Sequence, residues 1–137
     1  MGTPNPQDHI CPWWLAYTFD NPLRRFLHDP DPMLGQLVRD GMTVADIGCG
    51  MGYFSIAMAR MVGEKGKVIS VDLQHEMLDI MLRRARKAGM GDRIQPVLAE
   101  SDNIKINGSL DFVLLFWMLH EVKDIPRFLG QLASVLK

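Results

Sequence analysis

The fold is decided by the stretch Val44-Ala45-Asp46-Ile47-Gly48-Cys49-Gly50-Met51-Gly52, in which a short apolar run ends at three alternating glycines. The residues after it, 53–62, are mostly apolar and have the pattern of a buried helix. The order is therefore strand, tight glycine turn, helix. Because glycine accepts positive φ and lets backbone N–H groups come close to a ligand, this turn is a candidate binding loop.

Composition points to one globular domain with its own core. The chain has 137 residues, of which 47% are hydrophobic, and a net charge of −1. A charge this close to zero argues against a nucleic-acid partner. No apolar run approaches the roughly 20 residues of a membrane helix, the first residues do not resemble a secretory signal, and two cysteines make no disulfide framework. We therefore expect a cytoplasmic protein without a membrane segment.

Four apolar runs of strand length alternate with helical stretches. The strands are predicted at 44–47, 68–71, 94–98 and 112–116, and the helices at 53–62, at 75–88 and from about residue 124. None of the four runs alternates polar with apolar residues, as expected of parallel strands that are covered on both faces. The pattern predicts an α/β fold, a Rossmann-like doubly wound parallel sheet with right-handed crossovers.

The chain before this sheet has a different character. Its first twelve residues contain three prolines, an aromatic-rich stretch follows at 13–19, and short helices are predicted at 23–28 and 33–39. We therefore divide the chain into an arm with short helices, residues 1–41, and a sheet domain, residues 42–137. The arm is expected to lie on the substrate side as a lid, although simple packing of its helices on the sheet would explain the same aromatic residues.

Two acidic residues identify the kind of ligand. Asp72 follows the second strand about 20 residues after the last glycine, the usual place for an acid that accepts hydrogen bonds from two ribose hydroxyls. A dinucleotide would use the same acid, but its G-x-G-x-x-G fingerprint would need glycine where this chain has Tyr53. Asp46 would also repel a pyrophosphate. A ligand with a cationic head, such as S-adenosylmethionine, suits the loop better.

Four segments, in this order and spacing, resemble class I S-adenosylmethionine-dependent methyltransferases. Residues 46–52 look like the first motif of that family, and 71–72 like its ribose-binding acid. Residues 99–104 are similar to its adenine-binding segment, and residues 109–115 with 119–122 to its fourth strand and the turn after it. The resemblance covers 43–137. It implies the strand order 3-2-1-4, S-adenosylmethionine as cofactor, S-adenosylhomocysteine as product and a small-molecule methyl acceptor.

The resemblance also implies roles for single residues. The loop glycines would let the backbone approach the methionine part, Asp46 would orient its ammonium group, and Asp72 would hold the ribose. Leu73 would pack on adenine, while Glu100 and the Ser101 N–H would bond its edge. The implied cofactor-binding residues are Asp46, Gly48, Cys49, Gly50, Gly52, Asp72, Leu73, Glu100, Ser101 and Phe116.

Each of these roles has a structural alternative. Asp72 and Glu100 could be ordinary loop acids, and Asp46 could cap the helix after the loop. Cys49 is expected to be a small buried residue rather than a nucleophile. Phe116 would form part of the pocket floor.

No catalytic residue has to appear in such a sequence, and none is assigned. The sulfonium is already an activated leaving group, so the protein mainly aligns two reactants. A base is needed only for a protonated nucleophile, and His120 is a weak candidate for which a structural role in its turn is the alternative. Tyr17, Phe19 and Trp117 are expected on the acceptor side, and no metal site is predicted.

The chain departs from the family in one respect: it carries four strands of a sheet that has seven in the family. The fourth strand would then be an edge that is apolar on both faces, which favours association. Two functions stay open, a small-molecule methyltransferase and a partial cofactor-binding domain that is inactive alone or completed by homo-oligomerisation through that edge. A nucleotide-binding oxidoreductase is the third and weakest alternative.

Overall fold

The computed structural model describes residues 26–116 and 122–137. Four parallel strands form its sheet: β1 (Thr43–Ile47), β2 (Lys67–Asp72), β3 (Ile94–Leu98) and β4 (Phe112–Leu115). The helices are α1 (Pro30–Leu34), α2 (Tyr53–Met61), α3 (His75–Lys87) and α4 (Ile125–Val135), and a single 3₁₀ turn at Gly91–Arg93 precedes β3. The four predicted strands and three of the predicted helices are confirmed, with ends that differ by at most one residue.

The strand order is β3-β2-β1-β4. β1 lies between β2 and β4, with Ile47 opposite both Val71 and Leu115. The order confirms the predicted doubly wound sheet. Because the strand order reverses between β1 and β4, this kind of fold binds its ligands beyond the carboxyl ends of the strands, next to the end of β1.

Each face of the sheet has its own apolar core. One face packs under α2 and α3, with Val44, Val68, Met58 and Met81 completely buried. The other packs under α4 and residues 104–110, with Ala45, Val71 and Leu110 at its centre. Burial on both faces explains why the strands show no polar alternation.

The helix before β1 is shorter and earlier than the sequence pattern indicates. We predict it over 33–39, but α1 ends at Leu34. Asp29 caps it, because the Asp29 carboxylate accepts the Asp31 N–H at 3.1 Å and Pro30 occupies the first turn. Of the predicted helix over 23–28, only residues 26–28 are described, and residues 26 and 27 are helical. Within the two described ranges, no helix is long and apolar enough to cross a bilayer.

Candidate functional site

The glycine loop turns the chain sharply from β1 into α2. Gly48, Gly50 and Gly52 have φ of +77°, +53° and +87°, which L side chains rarely adopt. The N–H groups of Gly48 and Cys49 both donate to the Val71 carbonyl, at 2.8 and 3.0 Å. The loop is therefore fixed against the carboxyl end of β2.

Two of these glycines serve different purposes. A Cβ on Gly52 would come within 2.4 Å of Met81 Cγ in α3, so Gly52 lets the start of α2 pack against α3. A Cβ on Gly50 would meet no atom of the described residues within 4 Å. The loop is thus closely packed at Gly52 and open at Gly50, where a ligand can approach the backbone.

Asp72 lies beside that open point. One of its carboxylate oxygens accepts the Gly50 N–H at 3.0 Å, and the other accepts the Gln74 N–H at 2.9 Å. Two backbone donors thus orient the half-buried carboxylate at the end of β2. A carboxylate can accept about four hydrogen bonds, so this orientation is compatible with further bonds from ribose hydroxyls.

Asp46 is part of a buried polar chain that sequence reasoning missed. Its carboxylate accepts the Ser55 hydroxyl at 2.7 Å, and Ser55 Oγ lies 2.7 Å from Ser70 Oγ. The three residues are 3%, 0% and 0% exposed. The N-cap residue of α2 is Gly52, so the helix-cap alternative for Asp46 is wrong. The available signal was a serine among the otherwise apolar residues 54–59 and another among the otherwise apolar residues 68–71.

The pKa of the Cys49 thiol reflects both its burial and the charges around the loop. Burial, followed by the negative charges of Asp46 and Asp72, raises the pKa of its thiol well above the usual value, and a backbone hydrogen bond opposes this only partly. The side chain is buried, as predicted, and its thiol stays neutral near pH 7. Two carboxylates therefore place negative potential on the glycine loop, which favours a cationic ligand group and disfavours a pyrophosphate.

The predicted adenine-binding segment lies at the same edge but near the surface. The Ala99 N–H donates to the Asp72 carbonyl at 2.9 Å, which attaches this segment to the end of β2. Glu100 and Ser101 are both exposed, and the Glu100 carboxylate forms an ion pair with Lys105 at 2.6 Å. Leu73 is 38% exposed beside them.

Phe116 lies on the other side of the loop, after β4. Its ring packs 4.7 Å from that of Phe54 in α2 and 5.1 Å from that of His28. The Tyr53 hydroxyl donates to the His28 carbonyl at 3.1 Å. An aromatic cluster therefore surrounds the start of α2. The remaining predicted site residues, Tyr17, Phe19, Trp117 and His120, lie outside the described residues.

Comparison with known families agrees with this geometry. A family described as "Methyltransferase domain" matches residues 44–137. The chain belongs to this methyltransferase family. The match begins in β1 and includes the glycine loop, Asp72 and the segment after β3.

Similar curated proteins are also methyltransferases. The demethylmenaquinone methyltransferase of Symbiobacterium thermophilum is 32% identical over 100 residues, which are 72% of this chain and 40% of that protein. The 2-phytyl-1,4-naphtoquinone methyltransferase of Nostoc punctiforme is 34% identical over 100 residues, 72% of this chain and 44% of that protein. The chain spans about two fifths of the length of these relatives.

Solved methyltransferase structures share the fold. A SAM-dependent methyltransferase from Aquifex aeolicus superposes with a TM-score of 0.86 at 31% identity, covering 93% of this chain and 69% of that one. A SAM-dependent O-methyltransferase from Thermotoga maritima gives 0.67 at 23% identity, covering 80% and 40%, and supports the fold alone. The expected class I methyltransferase fold is thereby confirmed.

Proposed function

We propose that this chain binds S-adenosylmethionine at the glycine loop and transfers its methyl group to a small-molecule acceptor. The observation that carries the proposal is the convergence of two carboxylates, Asp46 and Asp72, on a loop whose backbone is open at Gly50. Negative potential suits a ligand with an ammonium and a sulfonium group. It opposes the pyrophosphate of a nicotinamide dinucleotide.

The residue roles follow from position along this edge. Gly48 and Gly50 would lie against the methionine part, Asp46 would orient its ammonium, and Asp72 would accept the ribose hydroxyls. The adenine contacts, the second part of the site, would come from Leu73, Glu100 and the Ser101 N–H. Cys49 and Gly52 would support the loop from below, and Phe116 would form part of the pocket floor.

Catalysis would consist mainly of alignment. When bound, the cofactor would supply a methyl group on a positively charged sulfur, which is a good leaving group for in-line attack by the acceptor on the methyl carbon. The chain's own contribution is to hold the two reactants together, which can lower a barrier by several kcal/mol. In this proposal the described residues would provide the cofactor half of the arrangement. We propose Tyr17, Phe19 and Trp117 as the acceptor-side residues, with His120 as a weak candidate base.

The acceptor class comes from the relatives. Those named above act, by their names, on demethylmenaquinone and on a phytyl naphthoquinone. We therefore propose the reduced ring of an isoprenoid quinone precursor as the first acceptor to test. Transfer of labelled methyl to such a ring is the expected result, and transfer to RNA but not to the ring would contradict the small-molecule proposal. We also propose a cytoplasmic location. Residues 1–41 would form an arm with short helices before the 42–137 domain.

Ligand titration tests the cofactor part. We expect saturable calorimetric binding of S-adenosylhomocysteine to the purified chain, and no binding of NADH under the same conditions. Binding of NADH alone would favour an oxidoreductase and overturn the proposal. Absence of S-adenosylhomocysteine binding by a chain that circular dichroism shows to be folded would also overturn it.

A second candidate function is a cofactor-binding partial domain that works only as an oligomer. Its supporting observation is the surface formed by β4 and α4. All four β4 residues are only half-buried, and α4 with the residue after it exposes large apolar side chains: Ile125 is 42% exposed, Leu129 45% and Leu136 46%. We propose that two copies could join through this edge. Light scattering that gives a dimer mass would support this candidate, and a monomer that transfers methyl groups would exclude it.

A further inference from the structure

We propose that Ser55 and Ser70 are positioning residues for the cofactor's amino-acid group, acting through Asp46. The inference rests on the proposed binding of S-adenosylmethionine and adds two residues to it. Neither serine reaches the loop surface, because both are completely buried. Their effect would pass to the ligand through the carboxylate that they hold.

The three residues come from the three elements that meet at the glycine loop. Asp46 is in β1, Ser70 lies directly opposite it in β2, and Ser55 is in the first turn of α2. They are also the buried polar or charged residues in the described part of the chain. The remainder of that interior is apolar, so a polar chain at this one place needs an explanation.

The direction of the hydrogen bonds can be deduced. An ionised carboxylate only accepts hydrogen bonds, so Ser55 must donate its single hydroxyl proton to Asp46 Oδ2. The 2.7 Å contact between the two serines must then use the Ser70 proton. The bonds run one way, from Ser70 through Ser55 to Asp46. Ser55 is the direct donor, and Ser70 orients and polarises it.

This arrangement does for Asp46 what backbone N–H groups do for Asp72. A buried carboxylate is costly unless donors satisfy it. Hydroxyl donors stabilise the charged form and fix the direction of its remaining acceptor positions. The charge of Asp46 does reach the loop, since it contributes to the raised pKa of Cys49. The serines would therefore maintain a fixed negative charge beneath the position of the ammonium group.

A purely structural role makes a different prediction. The same hydrogen bonds could serve only to attach α2 to the sheet, and their loss would then loosen the whole loop. Two ligands separate these cases. S-adenosylhomocysteine and 5′-methylthioadenosine share adenosine and a thioether, but the second lacks the ammonium and carboxylate groups.

The experiment compares both ligands by calorimetry in wild type, Ser55→Ala and Ser70→Ala. We expect Ser55→Ala to lower the affinity for S-adenosylhomocysteine about tenfold, which corresponds to the loss of one hydrogen bond to a charged group. The affinity for methylthioadenosine should be unchanged. Ser70→Ala should give a smaller loss with the same selectivity, because Ser55 can still donate. Ser134→Ala is the matched control, because among the described contacts its hydroxyl donates only to the Gln131 carbonyl, on the exposed side of α4.

Each other outcome counts against the inference. Equal loss of both ligands in Ser55→Ala and Ser70→Ala would show a structural role, and unchanged affinity for both would show no role. If Ser55→Ala does not fold, the selectivity of Ser70→Ala decides. Wild type that binds neither ligand would overturn the proposed function and this inference together, whereas a wild type that binds normally with unselective variants overturns the inference alone.

Discussion

The two parts of the candidate site are built differently. At the glycine loop, Asp46 is 3% exposed and accepts the Ser55 hydroxyl, and the Asp72 carboxylate accepts two backbone N–H groups. At the predicted adenine segment, the Glu100 side chain is 63% exposed and is held by an ion pair with Lys105. Preorganised donors and acceptors contribute more to binding than surface groups that must be ordered. This difference predicts that cofactor affinity depends more on the glycine loop than on the exposed adenine segment.

The largest expected effect comes from breaking the packing of the loop itself. Gly52→Ala places a Cβ at positive φ and against Met81, so we expect it to lower the free energy of unfolding by about 3 kcal/mol. Gly89→Ala is the matched control, because Gly89 has φ +74° but no described atom near its Cβ, and it should cost about 1 kcal/mol. Urea denaturation measures both. Equal losses would mean that the loop is not packed as described.

Asp72→Ala should remove the ribose contact and one anchor of the loop. We expect a loss of about 100-fold in S-adenosylhomocysteine affinity, from hydrogen bonds to a charged acceptor. Asp79→Ala, on α3, serves as control because Asp79 pairs only with His75 on the exposed face among the contacts described. A loss of less than threefold in Asp72→Ala would remove Asp72 from the site.

Cys49→Ala should change how stability depends on pH. Because the folded pKa of Cys49 is raised, its thiol favours folding below the ordinary thiol pKa, and that contribution is lost as pH rises toward the folded pKa. Between about pH 8.5 and 9.5 wild type should lose about 1 kcal/mol more than Cys49→Ala. Parallel denaturation curves across this range measure the difference. Identical pH profiles would contradict the raised pKa of Cys49, which burial and then the two carboxylates cause.

The smallest effect should be at the exposed segment. Glu100→Gln removes a charge that lies on the surface and pairs with Lys105, so we expect about a threefold loss of S-adenosylhomocysteine affinity. Titration of this variant beside Asp72→Ala gives the ratio between the two parts of the site. A loss in Glu100→Gln as large as that in Asp72→Ala would mean that the exposed segment contributes as much to cofactor affinity as the glycine loop does.

The sequence alone was sufficient to predict the four strands of the sheet and the position of the glycine loop. Strands such as 44–47 and 68–71 are mainly apolar, and the glycines that need positive φ stand in a fixed order, so both signals are local. The position of Asp72 follows from the same local order. Its hydrogen bond with Gly50 agrees with that expectation, while its contact with a ribose stays a prediction.

The hydrogen-bond chain below the loop could not be predicted. Ser55 and Asp46 are nine residues apart, and Ser70 meets them only through the register of β2 on β1. That register and the rotation of α2 are set by tertiary packing. The wrong start of α1 has a related cause. Two Asp-Pro pairs, at 29–30 and 31–32, offer two possible caps, and only the folded chain selects Asp29.

The most direct test of the central claim, that the cofactor lies against the open point of the loop, is calorimetric titration of Gly50→Ala with S-adenosylhomocysteine beside Gly89→Ala. Both substitutions place a Cβ at positive φ with no described atom within 4 Å, so their losses of stability should match, at about 1 kcal/mol. We predict that Gly50→Ala alone loses affinity, by at least about tenfold, because its methyl group would occupy the ligand's place. Wild-type affinity in a folded Gly50→Ala chain would contradict the claim.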